Sequence, residues 1–432
     1  MDNNARPDKK INRANNTAGV FNGFWDGFFV KGQLDVPMVV ITVIVACIGL
    51  VMLLSASYPE SYRDFGHGYT YFRNQAGFMI LGFIGMFIAS KVNYNKLRIF
   101  AWPALVGSLL LVLAAIFLGI SEGGGGGVNR RLGFFQPSEI TKFAVILFCA
   151  NGLSKNHKKM LSNKPSDKGF ANIVSIITGG RLRLTESTVT MFWYALIIVA
   201  SAGVVFLGSH LSGAIIIMAI GVFMLWLGEA KAKWFVAGAI IVVVALVLVI
   251  NFYEYLPLQD YMKTRLRTFF DGNGDTWQTD NGLYALGSGG IFGLGIDGSK
   301  QKYSFVSEPH TDFIFTIVGE EIGFIGCMII IALFCVLIGR GMYIAFKAKN
   351  RFGTLLAMGV MVHIALQVGI NLAVITDLIP NTGISLPLFS YGGTAVIMTL
   401  CEIGVVLGVS RLADLPKVYS FRDGNKKIKK SK

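Results

Sequence analysis

The sequence predicts an all-α, polytopic membrane protein with about ten transmembrane helices. Apolar residues make up 53% of the chain and charged residues only 15%, and the mean hydropathy is +0.58. A typical soluble domain is about half apolar and about a quarter charged. The apolar residues also fall in runs long enough to cross a hydrocarbon core of about 30 Å.

The apolar runs give ten candidate spans, separated mostly by short polar segments. The longest polar interval, 253–311, lies between the seventh and eighth spans, and we predict that it is a large extracytoplasmic loop. An even number of spans places both termini on the same side. The spans are 37–56, 74–91, 99–120, 136–153, 190–208, 211–228, 233–252, 312–339, 354–378 and 390–410.

The placement of basic residues orients these spans. If both termini are cytoplasmic, 29 of the 39 Lys and Arg residues fall on inside segments, nine fall outside and Lys142 lies within the fourth span. This bias follows the positive-inside rule. We therefore predict a cytoplasmic tail over 1–36, a ten-helix membrane domain over 37–412 and a basic cytoplasmic tail over 413–432.

The net charge of +14 is largely a consequence of this topology. The basic run over 426–430 is more consistent with contact to anionic membrane lipids than with a nucleic-acid patch. Nucleic acid is therefore not an expected partner. All five cysteines fall in predicted spans and no CxxC pair occurs, so neither disulfides nor a thiolate metal site is indicated.

A polar block comes directly before the eighth span. It reads Glu308-Pro309-His310-Thr311-Asp312, and Glu320 and Glu321 follow about two helical turns later. Carboxylates in or near lipid are costly and usually mark function. Asp312 is the strongest candidate for acid–base chemistry, although a residue there can instead cap the helix. Glu320 and Glu321 alternatively pair with a basic residue such as Lys142.

A second polar cluster opens the fourth span. Glu139 and Lys142 are spaced i, i+3, so they can pair on one helix face. Lys142 is also the one basic residue placed in the interior of a span rather than at its end, which favours a functional role. Arg130 and Arg131 precede the span. Together these cations could grip a diphosphate, because guanidinium groups favour bidentate phosphate contacts.

Two further patterns favour structural interpretations. His363, Gln367 and Asn371 repeat at i, i+4, i+8 on the ninth span, which indicates interhelical hydrogen bonding. Residues 293–298 match GxGxxG, but the dinucleotide fingerprint needs a strand before it and a βαβ unit around it. We instead expect this glycine-rich segment to fold tightly on the helix bundle or to re-enter it.

Five ordered motifs on the ten-span background resemble the SEDS family of shape, elongation, division and sporulation proteins, the FtsW and RodA group. The resemblance runs from the first span to about residue 412. Its motifs are Gln136-Pro137-Ser138-Glu139 with Lys142; Ala285 through Gly293; Ser299-Lys300-Gln301-Lys302; Glu308 through Phe315 with Gly319-Glu320-Glu321; and Pro380 through Gly383, Leu386-Pro387 and Ser390 through Thr394.

The resemblance implies a peptidoglycan glycosyltransferase that polymerises lipid II at the outer face of the bacterial cytoplasmic membrane. It implies a class B penicillin-binding protein as partner, together with other division or elongation machinery. The long polar N-terminal tail and the context of Ser390 through Thr394 favour the FtsW branch, and therefore division over elongation. The family position that matches Asp312 is the catalytic residue.

The chemistry of such a reaction fits these residue types. The acceptor hydroxyl must lose a proton, which one carboxylate can take. The leaving lipid diphosphate needs cations rather than a second acid. A divalent cation such as Mg²⁺ or Mn²⁺ could assist, although the sequence has no dedicated ligand cluster. The expected substrate-binding residues are Arg130, Arg131, Glu139, Lys142, Lys300, Lys302, Glu308, His310, Glu320, Glu321 and Ser390.

Two other classes of function compete with this interpretation. Bundles with helices broken by glycine or proline also suit transporters, so a flippase for the same lipid is the first alternative. The second is a non-catalytic scaffold for a penicillin-binding protein. Substitution of Asp312 distinguishes the enzyme from the flippase and the scaffold. Only an enzyme should lose polymerisation when this carboxylate is removed and still bind its partner.

Overall fold

The computed structural model is all-helical and describes residues 29–30, 32–118, 135–166, 171–172, 176, 183–208, 210–252, 255, 260–271, 276–303 and 305–413. Arg130, Arg131 and nearly all of both predicted tails lie outside these ranges. We number twelve helices: α1 (Val36–Phe65), α2 (Thr70–Lys91), α3 (Ala101–Leu118), α4 (Pro137–Lys155), α5 (Glu186–Leu207), α6 (Leu211–Leu227), α7 (Ala232–Phe252), α8 (Asp260–Asp271), α9 (Trp277–Ser288), α10 (Ile314–Phe346), α11 (Arg351–Ile375) and α12 (Gly393–Leu412).

Each predicted span coincides with one of these helices, and α8 and α9 lie within the predicted extracytoplasmic loop. Eight helices of the described residues are long and apolar enough to cross a membrane, namely α1, α2, α3 with the 3₁₀ turn before it, α5, α7, α10, α11 and α12. The apolar α6 is shorter, at 17 residues. The chain is therefore a multi-pass membrane protein, while ten crossings and cytoplasmic termini stay predictions.

Local sequence signals set the ends of these helices. Asp35 accepts a hydrogen bond from the Met38 backbone N–H at 3.0 Å, and Gly66 ends α1 in the left-handed region at φ 70°. The Asp35 carboxylate also forms an ion pair with Arg340 at 2.7 Å. The residue that caps α1 therefore also ties α1 to α10.

The centre of the bundle is α4, which contacts α3, α5, α6, α11 and α12. Most of its side chains are buried, including those of Glu139 and Lys142. Its neighbours therefore shield the most polar of the predicted spans from lipid. The large exposed apolar side chains lie mainly on the outer helices, as on a surface that faces hydrocarbon.

The long α10 is broken at Gly323, whose φ of 70° and ψ of −173° are not helical. The glycine-rich segment after α9 fills this break. The Phe324 N–H donates to the Gly290 carbonyl at 2.9 Å, and the Leu294 N–H donates to the Glu320 carbonyl at 3.0 Å. The expectation that this segment folds tightly on the bundle is confirmed, and the segment docks where a break at Gly323 interrupts the eighth predicted span.

Candidate active site

Asp312 lies on the wall of a polar cavity of about 440 Å³, just before α10 begins. The cavity collects side chains from segments that are far apart in sequence. Its lining residues are Phe78, Gln136, Glu139, Lys142, His210, Ser212, Gly213, Ile216, Arg265, Glu308, Thr311, Asp312, Gln367, Gly383, Ile384, Ser385, Tyr391, Gly392, Gly393, Thr394 and Ala395.

Neighbouring side chains fix the position of Asp312. The Thr311 hydroxyl donates to Asp312 Oδ1 at 2.9 Å. The Asn371 amide donates to the backbone carbonyls of Asp312 at 2.7 Å and of Ile384 at 2.8 Å. The cap residue of α10 is Phe313, without a side-chain cap bond. Asp312 therefore does not cap the helix, and its carboxylate is directed to the cavity.

The environment of Asp312 suits a proton acceptor. Burial raises the pKa of its carboxyl above the ordinary value of 3.8, and the nearby Glu308 carboxylate acts in the same direction. The Thr311 hydroxyl and the Arg265 guanidinium partly oppose this rise. A general base is most effective when its pKa approaches the working pH, so the direction of the change favours catalysis.

Arg265 on α8 is a cavity residue that the sequence interpretation missed. A Cβ built on Gly383 would lie 3.7 Å from Asp312 Oδ2 and 3.9 Å from Arg265 Nη1. Both side chains therefore approach one point of the cavity. Arg265 Nη1 also donates to the Asn381 carbonyl at 2.9 Å. The sequence signal for Arg265 is a basic, amphipathic segment inside the predicted loop.

Glu139 and Lys142 pair as their spacing predicts. Lys142 Nζ lies 2.8 Å from Glu139 Oε2, both side chains are buried, and both residues line the cavity. Arginine and lysine thus approach the cavity from two different elements, α8 and α4. Glu139 and Lys142 therefore form the ion pair that their spacing predicts. Because both residues also line the cavity, this pairing is compatible with a functional role for Lys142.

Glu320, Glu321 and Lys302 form a separate network away from the cavity lining. Lys302 Nζ contacts Asp297 and lies 3.1 Å from Glu321 Oε1, which also accepts from Ser55 at 2.6 Å. Lys142 is therefore not the partner of these carboxylates. Glu320 accepts hydrogen bonds from the residue 299–301 segment, including the Lys300 N–H at 2.9 Å.

These contacts fasten the segment over 297–302 to α10 and α1. The described structure gives Lys302, Glu320 and Glu321 protein partners, and their role in substrate binding stays a prediction. The Lys300 side chain is exposed and is not part of the cavity lining. Its role also stays a prediction.

Three further predicted site residues, Glu308, His310 and Ser390, lie in or next to segments that line the cavity. Glu308 lines the cavity with a left-handed φ of 48°, a strained conformation that clusters at functional sites. The buried His310 places Nδ1 2.8 Å from Glu60 Oε2, although the angle does not satisfy a hydrogen bond. The Ser390 hydroxyl accepts from the Leu386 N–H at 2.7 Å, so it shapes the loop beside the cavity.

The polar stripe of α11 serves both packing and the cavity. His363 Nδ1 lies 2.9 Å from Glu402 Oε2 on α12, which confirms the predicted interhelical contact. Gln367 lines the cavity, and Asn371 holds the backbone of Asp312. One helix face therefore connects the interior of the bundle to the candidate base.

Among the described residues, no group of three or more His, Cys, Asp or Glu side chains could hold a metal ion. The cavity does contain carboxylates from Asp312, Glu308 and Glu139. A role for a divalent cation stays a prediction. Among the described residues, the Lys and Arg side chains that line the cavity are Lys142 and Arg265.

Comparison with known proteins identifies the family. Residues 36–414 match the family model for FtsW, RodA and SpoVE, described as cell cycle protein. The chain belongs to this family. It is 33% identical to the probable peptidoglycan glycosyltransferase FtsW of Geobacter sp. (strain M18), over 87% of this chain and 96% of that protein. It is also 33% identical to stage V sporulation protein E of Bacillus subtilis, over 88% and 97%.

Solved structures support the fold of the family. A chain of the structure described as "Structural coordination of polymerization and crosslinking by a peptidoglycan synthase complex" matches with a TM-score of 0.64 and 22% identity, over 88% of this chain and 98% of that chain. The rod shape determining protein RodA of Thermus thermophilus matches with a TM-score of 0.55 and 23% identity, over 89% and 99%.

Proposed function

We propose that this protein is a peptidoglycan glycosyltransferase that polymerises lipid II into glycan strands. The observation that carries the proposal is one polar cavity that holds Asp312 together with Lys142 and Arg265. The Asp312 carboxylate in one cavity with two cations suits transfer of a sugar from a lipid diphosphate. The names of its FtsW relatives support the same activity.

The reaction can be derived from these side chains. Asp312 accepts the proton of the acceptor hydroxyl as its oxygen bonds to the anomeric carbon of the donor. The bond from that carbon to the diphosphate oxygen breaks, and the lipid diphosphate leaves with the electron pair. Lys142 and Arg265 stabilise the developing negative charge. Glu139 orients Lys142 through their ion pair.

We further propose that the reaction takes place at the outer face of the bacterial cytoplasmic membrane during division. The charge bias of the sequence supports an outward-facing cavity, because the cavity is formed by the outer ends of the predicted spans. A class B penicillin-binding protein would crosslink the product. The similarity to a chain of a peptidoglycan synthase complex supports such a partner.

The test is lipid II polymerisation by the purified protein with its cognate penicillin-binding protein. Wild type, Asp312→Asn and the control Asp377→Asn are compared, and complex formation is measured in parallel. Asp377 is exposed and does not line the cavity. We expect glycan chains from wild type and from the control, and none from Asp312→Asn within an intact complex.

Contrary results would redirect the assignment. Equal polymer from wild type and Asp312→Asn would remove Asp312 as the base. Absence of polymer from all three proteins, with a competent partner and substrate, would favour transport or scaffolding. Lipid II movement across vesicles containing the protein would then separate those two roles.

A further inference from the structure

A second cavity lies at the opposite end of α4 from the candidate active site. It encloses about 270 Å³, and its lining residues are Trp102, Phe148, Asn151, Gly152, Lys155, Asn156, Trp193 and Tyr194. Glu139 and Gly152 on α4 are separated by about 20 Å along the helix axis. The two cavities therefore face opposite surfaces of the bundle. We call this second cavity the inner cavity.

Four of the eight residues that line the inner cavity are aromatic. The Phe148 ring centroid lies 4.9 Å from that of Trp102 and 5.7 Å from that of Tyr194. Trp102 and Trp193 remain 50% and 54% exposed. Tryptophan is enriched where protein meets the membrane–water interface, so these two rings place the inner cavity at that level.

Gly152 permits the close packing of this wall. A Cβ at this position would lie only 2.3 Å from Tyr194 Oη. Tyr194 Oη in turn accepts a hydrogen bond from Asn156 Nδ2 at 2.8 Å. The tyrosine is therefore held by its neighbours, and its hydroxyl already has a partner within the protein.

The polar end of the inner cavity offers an acceptor and a cation. Asn151 is only 7% exposed, and its Oδ1 has no hydrogen-bond partner among the described residues. Its Nδ2 donates to the Arg98 carbonyl at 3.4 Å. Lys155 is exposed in the last turn of α4. A buried carbonyl oxygen without a donor is costly, which points to a ligand that donates there.

We propose that the inner cavity binds the headgroup of an anionic phospholipid that carries a free hydroxyl, as phosphatidylglycerol does. The lipid phosphate lies against Lys155, and a headgroup hydroxyl donates to Asn151 Oδ1. The acyl chains leave along Trp102 and Trp193. Under the predicted topology this lipid belongs to the cytoplasmic leaflet.

The chemistry of the cavity favours this occupant over others with a phosphate group. Inorganic phosphate would leave the exposed tryptophan rings without a partner. Phosphatidylcholine carries a phosphate, but its quaternary ammonium offers no N–H or O–H for Asn151. Lys155, which lines the cavity, supplies the positive charge that favours an anionic headgroup.

The test measures lipid binding to the purified full-length protein by native mass spectrometry. Phosphatidylglycerol or phosphatidylcholine is titrated into the protein in detergent, with and without inorganic phosphate as competitor. Lys155→Gln is compared with Lys158→Gln, a neighbouring exposed lysine outside the cavity. We expect about fivefold weaker phosphatidylglycerol binding for Lys155→Gln and unchanged binding for Lys158→Gln.

Asn151→Leu is an independent test, because it removes the acceptor and keeps the branching and number of side-chain heavy atoms. We expect this variant to lose most of the preference for phosphatidylglycerol over phosphatidylcholine. Equal binding of the two lipids by wild type would overturn the proposal. So would equal weakening by Lys155→Gln and Lys158→Gln, or displacement of the lipid by inorganic phosphate, which would indicate a site for soluble anions.

Discussion

Catalysis and burial place opposing demands on the ionisation of Asp312. It must be ionised to accept a proton, yet the cavity wall disfavours its charged form and raises its pKa. Thr311 and Arg265 supply part of the compensation through a hydrogen bond and a nearby positive charge. Such a residue is retained for chemistry at a cost in stability.

This conflict predicts that Asp312→Asn gives a more stable but inactive protein. Because the folded-state pKa is raised, ionisation of Asp312 destabilises the fold above that pKa, and the effect vanishes below the unfolded value near 3.8. Thermal unfolding at pH 7 should therefore occur at a higher temperature in the variant. Polymerisation should fall by about 10²- to 10⁴-fold, the usual contribution of a general base.

The comparison at low pH is the control for that prediction. Wild type and Asp312→Asn should unfold at the same temperature well below pH 3.8, where the wild-type carboxyl is protonated in both the folded and the unfolded protein. A variant that is less stable at neutral pH would show that the carboxylate contributes structure rather than strain.

The buried pair of Glu139 and Lys142 predicts strong coupling between two substitutions. Lys142→Met alone leaves a buried carboxylate without its cation, which costs about 3–5 kcal/mol. Glu139→Gln together with Lys142→Met should recover most of that loss. Chemical denaturation of the four proteins measures the coupling free energy, and simple additivity would contradict it.

Polymerisation should not recover in that double variant. The positive charge of Lys142 is absent from both the single and the double variant, whereas the stability differs. Activity that returned with stability would show that Lys142 acts only through folding.

Arg265 should act on the leaving group. Arg265→Gln removes one of the two Lys and Arg side chains that line the cavity in the described part of the chain. We therefore expect a loss of about 10²- to 10³-fold in kcat, as for other groups that stabilise developing charge. Arg267→Gln is the matched control, because Arg267 is exposed on the same helix and does not line the cavity. Similar kinetics in the two variants would exclude this role.

At the scale of elements, the break in α10 determines how the cavity mouth is built. The segment after α9 bonds to backbone groups that a continuous helix would use internally. Gly323 has a positive φ, and a Cβ there would lie 2.2 Å from the Gly293 nitrogen. The nearest atoms are backbone, so no rotamer change relieves the clash.

Gly323→Ala should therefore destabilise the protein strongly. Left-handed backbone at a non-glycine residue costs about 1–3 kcal/mol, and displacement of the docked segment adds to that cost. Gly339→Ala is the matched control on the same helix, since a Cβ there meets nothing within 4 Å. It should be neutral or stabilising by up to about 1 kcal/mol. Thermal unfolding of both variants decides, and an unaffected Gly323→Ala would mean that the break is not required.

The helices and the polar residues at their mouths were largely predictable from the sequence. Apolar runs determine where helices form in a membrane. Asp312 and Lys142 are recognisable as candidate site residues because they are charged and lie in or next to these apolar runs. The partners were not predictable, because they depend on tertiary contacts. Ser55 meets Glu321 across 266 positions, and Arg265 lines the cavity and bonds to Asn381, 116 positions away. The break at Gly323 was hidden among several neighbouring glycines.

At the scale of the whole molecule, the sidedness of the bundle rests on charge distribution and is open to direct test. A fluorescent protein fused after residue 432 should fluoresce in a bacterial host, because it remains in the cytoplasm. Alkaline phosphatase fused after Gly68, between α1 and α2, should be active because it is exported. The reverse pattern of reporter activities would invert the topology and place the candidate active site on the cytoplasmic side.

The break at Gly323 also indicates how deep the charged residues of α10 lie in the membrane. From Gly323 to Arg340, α10 rises about 26 Å, close to the roughly 30 Å of a bilayer's hydrocarbon. Arg340 pairs with Asp35 at one end of that length, and Glu320, Glu321 and Asp312 lie beyond the other. None of these charged side chains then needs to enter the hydrocarbon core of the bilayer. The sugar transfer would proceed at the level of the lipid phosphates, where a polyprenyl tail can stay immersed while its diphosphate remains hydrated.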